Sequence, residues 1–161
     1  MFTLDGIREF HRWTHASLTL VLDHLSTISA DAYAKDLTGF GFSTLRKQVI
    51  HVFNCEGFWI STLQGLQYVD LDPADFPDVA DAVRLQREVI DQTVRYLESL
   101  TDERLNGDTA LRFSDGDSAV RTPALILHHV FTHAFHHKGQ IVAMCRELGH
   151  PAPDTDLNQF H

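Results

Sequence analysis

Four segments of the chain repeat apolar residues at the three-to-four spacing of an amphipathic helix, and glycine and proline gather between them. The first runs from Leu4 to Ser29, with Ile7, Leu18, Val21, Leu25 and Ile28 on one stripe and His11 and Thr14 on that same stripe. The second runs from Thr44 to Gln64; its stripe reads Leu45, Val49, Val52, Glu56, Trp59 and Leu63, Ser43 suits its N-cap and Gly65 closes it. The third spans Val79 to Leu100, with Val83, Ile90, Val94 and Leu97 expected inward. The fourth starts at Pro123 behind a Thr122 cap and runs to Leu148, where Gly149 and Pro151 end it. Lys35 to Phe42 reads as a loop around Gly39 and Gly41, and Leu66 to Asp78 as a connector broken by Pro73 and Pro77. Thr109 to Thr122 carries Ser114-Asp115-Gly116-Asp117 flanked by Leu111, Phe113 and Val120, the pattern of a short hairpin or extended loop. This predicts an all-α chain, an antiparallel four-helix bundle with a short hairpin before the last helix, folded as one domain over residues 1–161. The two longer connectors leave room for a crossover.

The fourth helix carries the strongest chemical signal. Its stripe is Ile126, Val130, His133, His137, Gln140 and Met144, flanked by Leu127 and Ile141. Residues four apart share one helical face, so two imidazoles at that spacing can reach one cation. They also stand where the pattern calls for apolar residues, and a buried imidazole needs a hydrogen-bond partner or a metal. A lone histidine on an apolar face is more often a packed core residue; the pair shifts the balance toward a metal. A third ligand has to come from another helix. The second helix offers His51 beside its stripe, the stronger candidate because an imidazole matches the other two ligands, and Glu56 on the stripe as the alternative, with Cys55 one turn after His51 as a weaker option. Glu56 also suits a carboxylate that orients a ligand histidine or serves as general base. His11 and His15 are four apart on the first helix and, with His24, read as interfacial polar residues rather than a second metal site. His136 is a candidate to support a ligand, and His128 projects elsewhere. Gln140 is either a packing amide or a hydrogen-bond partner for a ligand or substrate.

Composition narrows the classes. Eleven histidines, five of them between His128 and His137, are the anomaly. A net charge of -9 and a single small basic group, Arg46-Lys47, argue against nucleic acid as a partner. Two cysteines, Cys55 and Cys145, read as reduced thiols of a cytoplasmic protein. There is no apolar run of membrane-spanning length, and the start lacks the basic region of a signal peptide.

The segment from His129 through Val130-Phe131-Thr132-His133-Ala134-Phe135-His136-His137-Lys138-Gly139-Gln140 to Ile141 resembles the closing motif of the DinB-like (YfiT-like) superfamily, which is distinct from the DNA polymerase of similar name. Ser43 to Gly65, with His51, Glu56, Trp59 and Leu63-Gln64-Gly65, is similar to that family's second helix, and the Trp13 region and Leu148-Gly149-His150-Pro151 resemble it too. Lys138 stands where the family usually has arginine. The resemblance implies a four-helix bundle, often a homodimer, and a divalent metal, nickel or zinc, on His51, His133 and His137. It also implies activities of the kind known in the family: thiol-dependent S-transferases using mycothiol or bacillithiol, and maleylpyruvate isomerase.

Three neutral imidazoles leave a cation open positions, the arrangement of a catalytic site. Two readings follow. One is a metal-dependent enzyme acting on a small molecule by hydrolysis or thiol transfer, with a low-molecular-weight thiol as cofactor in the second case; Trp13, Phe53 or Trp59 lining a pocket at the metal favours it. The other is a non-catalytic, stress-linked metal-binding dimer or sensor, favoured by a fourth protein ligand. A plain bundle with no metal is the third and weakest.

Overall fold

Thr3 opens the first helix, its hydroxyl accepting from the Gly6 N–H, and α1 runs Leu4–Leu25 in the computed structural model, which describes residues 1–160. The helix stops short of the expected Ser29. Ser26 and Thr27 turn their hydroxyls onto the carbonyls of Asp23 and His24, and Ser29 instead caps a four-residue helix, α2 (Ala30–Tyr33). Helix α3 (Leu45–Gln64) is capped by Thr44, whose hydroxyl accepts from Lys47 N at 3.0 Å; Ser43, the expected cap, donates to Asp36. Gly65 ends α3 in the left-handed region at φ 70, where a β-carbon is disfavoured. A short turn at Pro73–Asp75 leads to α4 (Val79–Glu98), which Asp78 and Asp81 start as a reciprocal capping box. A five-residue helix, α5 (Asp102–Asn106), follows. Strands β1 (Thr109–Arg112) and β2 (Ser118–Arg121) then pair antiparallel, Thr109 opposite Arg121 and Arg112 opposite Ser118. The long α6 (Pro123–Glu147) begins on Thr122 and Pro123 as expected. The chain is thus mostly helical with one two-stranded sheet. The hairpin is present, and it corrects the expectation of an all-α chain.

Helix α1 packs on α4 and α6, and α3 packs on the same two. Two apolar clusters fill the interior. One joins Leu18–Leu25 of α1 to Leu45, Val49 and Phe53 of α3, Leu85 and Val89 of α4, and Ile141–Cys145 of α6. The other joins Leu4 and Ile7 to Ile60 and Leu63, to Tyr96 and Leu97, and to Ile126–Phe131. The start of α1 therefore shares an end of the molecule with the finish of α3 and α4 and the start of α6. Helices α1 and α6 run one way and α3 and α4 the other, so residues 65–78 cross the length of the molecule.

Helix α4 turns a different face inward from the one expected. Leu85, Val89, Tyr96 and Leu97 are buried together with Gln86 and Thr93, while Val94 is exposed and Ile90 half-buried. The polar Gln86 and Thr93 face in because they hydrogen-bond buried groups of α1 and α3. No helix among the described residues is long and apolar enough to cross a membrane.

Candidate metal centre

Helices α3 and α6 bring His51, His133 and His137 together. Each offers a ring nitrogen within 4.8 Å of the other two, and His51 Nε2 and His133 Nε2 lie 3.0 Å apart. Two nitrogens each 2.0–2.1 Å from a common cation stand about 2.9–3.4 Å apart at octahedral or tetrahedral angles, so this pair fits a shared ion. On α6 the one-turn spacing of His133 and His137 brings their ring centroids to 4.3 Å, tilted by 59°, as the sequence spacing predicts. His137 is buried; His51 and His133 are half-buried, so the set lies at the edge of the helix packing.

Gln48 orients the site. Its amide donates to the Phe42 carbonyl at 3.2 Å, which turns Oε1 toward His137, and His137 Nδ1–H donates to that oxygen at 2.7 Å. The proton on Nδ1 leaves Nε2 as the free lone pair. Phe42 stacks on the His51 ring at 4.0 Å. Neither Gln48 nor Phe42 was singled out from sequence. The available signal was a glutamine among Leu45, Val49 and Val52, one turn before His51, in a position the helix buries completely.

Electrostatics favour neutral rings. Burial, and then the neighbouring His137 and His51 rings, push His133 down to about 3. Burial and His51 push His137 down to about 4, and burial lowers His51. Unprotonated imidazole is the form that ligates a cation.

The remaining histidines divide around this centre. His129 and His136 are exposed beside it, their rings 5.8 Å from His133 and 4.9 Å from His137. His128 donates through Nδ1 to the Ala124 carbonyl and packs on Phe2, away from the site. The Gln140 amide oxygen is buried, and its side chain hydrogen-bonds His137, which partly offsets the lowering of that ring's pKa. The Cys55 thiol is pushed up to about 12 by burial and by the Glu56 charge, and it is not among the groups that converge on this centre. Of the expected aromatic lining, Phe53 is in the core and Trp59 packs on His129 and Phe113.

Glu56 is not part of this set. Five residues beyond His51, it lies about 140° around α3. Its carboxylate is bonded by His11 at 3.0 Å, His15 at 3.0 and 3.3 Å and Thr93 at 2.6 Å. The expected role as general base or orienting partner at the three-histidine centre is therefore corrected by its position: every one of its oxygen contacts points to α1 and α4.

A sequence model of the DinB family matches residues 1–161. The uncharacterized protein YizA of Bacillus subtilis (strain 168) is 24% identical over 108 residues, 67% of each chain. The crystal structure of a DinB-like protein from Bacillus cereus ATCC 10987 superposes with a TM-score of 0.71 at 20% identity, covering 96% of this chain and 99% of the other. That of YjoA, a DinB-like protein from Bacillus subtilis, superposes at 0.58 with 22% identity, covering 92% and 98%. At these identities the structures speak for the fold.

Proposed function

This chain belongs to the DinB family, and from that footing we propose that it is a metal-dependent enzyme with an open three-histidine centre, acting on a small molecule by hydrolysis or thiol transfer. We read its four long helices as a four-helix bundle that serves as the scaffold. The observation that carries the reading is the convergence of His51, His133 and His137 from two helices, with the tautomer of His137 fixed by Gln48. No fourth His, Cys, Asp or Glu joins the set among the described residues, which supports an open rather than a closed coordination sphere.

A divalent cation, zinc or nickel by ligand type, supplies acidity at such a centre: it lowers the pKa of water to about 7 or strips the proton from a thiol. The protein's own groups do the rest. Phe42 and Gln48 hold two of the rings in place. We assign His129 and His136, exposed beside the ligands, the part of exchanging protons with solvent. We take Gln140, whose side chain hydrogen-bonds His137, as a candidate to hydrogen-bond a ligand or substrate.

The test is metal content of the untagged chain after loading with zinc or nickel, followed by a screen of esters, amides and thiol–electrophile pairs. His133→Ala and His137→Ala should each abolish stoichiometric binding at this centre; full occupancy in both variants removes the reading. A fully loaded chain without turnover on any class supports the non-catalytic binding protein instead. The family resemblance also makes a homodimer part of this proposal, which light scattering decides.

A further inference from the structure

Between the two apolar clusters lies a buried polar layer. Its members are His11 and His15 of α1, Glu56 of α3, and Gln86 and Thr93 of α4, all buried. At its centre is a carboxylate removed from water whose charge partners are two imidazoles; Arg8 and Arg12, one turn from them, pair outward with Asp5 and Glu9. A buried carboxylate is costly in a low-dielectric interior unless it is paired and hydrogen-bonded.

The ligand atoms already converge. His11 Nε2, His15 Nε2 and a Glu56 oxygen lie within 4.8 Å of one another; Glu56 Oε1 is 3.0 Å from His11 and 3.3 Å from His15, and Oε2 is 3.0 Å from His15. Ligands 2.0–2.2 Å from one ion stand about 2.8–3.6 Å apart. Thr93 Oγ1 donates to Glu56 Oε1 at 2.6 Å and fixes the carboxylate plane. A cavity of about 490 Å³ between α1 and α4 has both imidazoles in its wall, with Ile90, Val94 and Leu97 as its apolar side; none of its lining belongs to the three-histidine set.

We propose that His11, His15 and Glu56 form a second divalent-cation site, built of two imidazoles and one carboxylate, whose open positions face the α1/α4 cavity. Facing helices are where bundles place such sites. Two nitrogens and a carboxylate suit zinc and the divalent metals of intermediate hardness, iron and manganese among them. Loading moves each ring proton from Nε2 to Nδ1. Gln86, whose amide nitrogen is 3.5 Å from His15 Nδ1, then turns end for end to accept it, giving up its bond to the His15 carbonyl. The site rests on its own residues and stands or falls separately from the three-histidine centre.

Cobalt(II) titration of the full untagged chain tests it. The wild type should take up two equivalents. The His133→Ala/His137→Ala chain, in which the polar layer is intact, should retain one, and its His11 and His15 ring resonances should broaden as cobalt is added. Glu56→Gln in that background should take the uptake to none, with circular dichroism confirming the fold. If Glu56→Gln fails to fold, the broadening decides alone. The proposal is overturned if the double variant binds no cobalt at millimolar concentration, or if it binds cobalt while both rings stay sharp. One equivalent in the wild type that vanishes in the double variant sinks this site and spares the three-histidine centre. One equivalent that persists there does the reverse.

Discussion

Gln48 sets which nitrogen of His137 is left as the free lone pair, through the orientation of its amide. Its nitrogen is committed to the Phe42 carbonyl, so its oxygen meets Nδ1. Gln48→Ala should weaken zinc or nickel binding by about 10–100-fold, as loss of an orienting partner does, which a chelator competition titration reads. Unchanged affinity would mean the tautomer is set elsewhere. The same centre dictates a pH response in the metal-free protein. His133 and His137 sit well below 6.5 when folded, at about 3 and about 4, because burial and neighbouring rings disfavour the charged form. Below 6.5 the unfolded chain binds protons that the folded one refuses, so this contribution to stability is whole above pH 6.5 and is lost as pH falls toward 4. Glu56 acts in a different window. Burial alone would raise its pKa, but the His15 and His11 contacts more than offset that and hold it below 4.5, so its contribution is lost only below pH 4.5. Melting temperatures of the apo chain between pH 7 and 5 should fall, and His133→Ala should flatten that fall; an equal slope in both removes the imidazoles as its cause. Sequence disclosed His133 and His137 by one-turn spacing, whereas His51 was preferred over Glu56 only because an imidazole matches the other two ligands, with the family resemblance pointing the same way. Spacing within one helix is visible in a chain, but which residues of two helices meet is a matter of packing. The His11–His15–Glu56 set was hidden for that reason.

At the scale of elements, long helices were legible because each shows several turns of period, although the end of α1 and the cap of α3 differ from the expectation. Helices α2 and α5, four and five residues long, show too little of a period to be seen and form on their Ser29 and Thr101 caps. The face of α4 was misjudged because apolar residues were taken as inward while Gln86 and Thr93 were not, although both serve buried partners. The connector at 65–78 is ordered by Asn54 of α3, whose Oδ1 accepts from the Tyr68 hydroxyl and the Leu71 N–H, each at 2.9 Å. Tyr68 can lie there because residue 57 is glycine: a β-carbon at Gly57 would come within 3.0 Å of the Tyr68 ring and hydroxyl. Gly57→Ala should displace Tyr68, cost about 1–3 kcal/mol as overpacking does, and speed proteolysis within 65–78. A variant as stable and as resistant as the parent would show that the ring moves aside freely.

For the whole molecule, a cation at the three-histidine centre ties α3 to α6, which approach each other from opposite directions, and one in the polar layer would tie α1 to α3 where the two apolar clusters part. Neither set of ligands converges once the chain unfolds, so binding favours the folded state by mass action. Zinc at 100 times its dissociation constant adds about 2.7 kcal/mol, which for a domain of this size raises the melting temperature by roughly 5–10 °C. His133→Ala removes the tie between α3 and α6 and with it the part of the rise that belongs there. Glu56→Gln removes only the part that belongs to the layer. Each variant has to be compared with its own chelator-treated form, because both substitutions also change the metal-free protein. The three-histidine centre predicts a rise that His133→Ala reduces, and the second site predicts that some of it survives His133→Ala and is lost on adding Glu56→Gln. A melting temperature that chelation leaves unchanged in the wild type would mean that neither set of side chains couples metal to the fold.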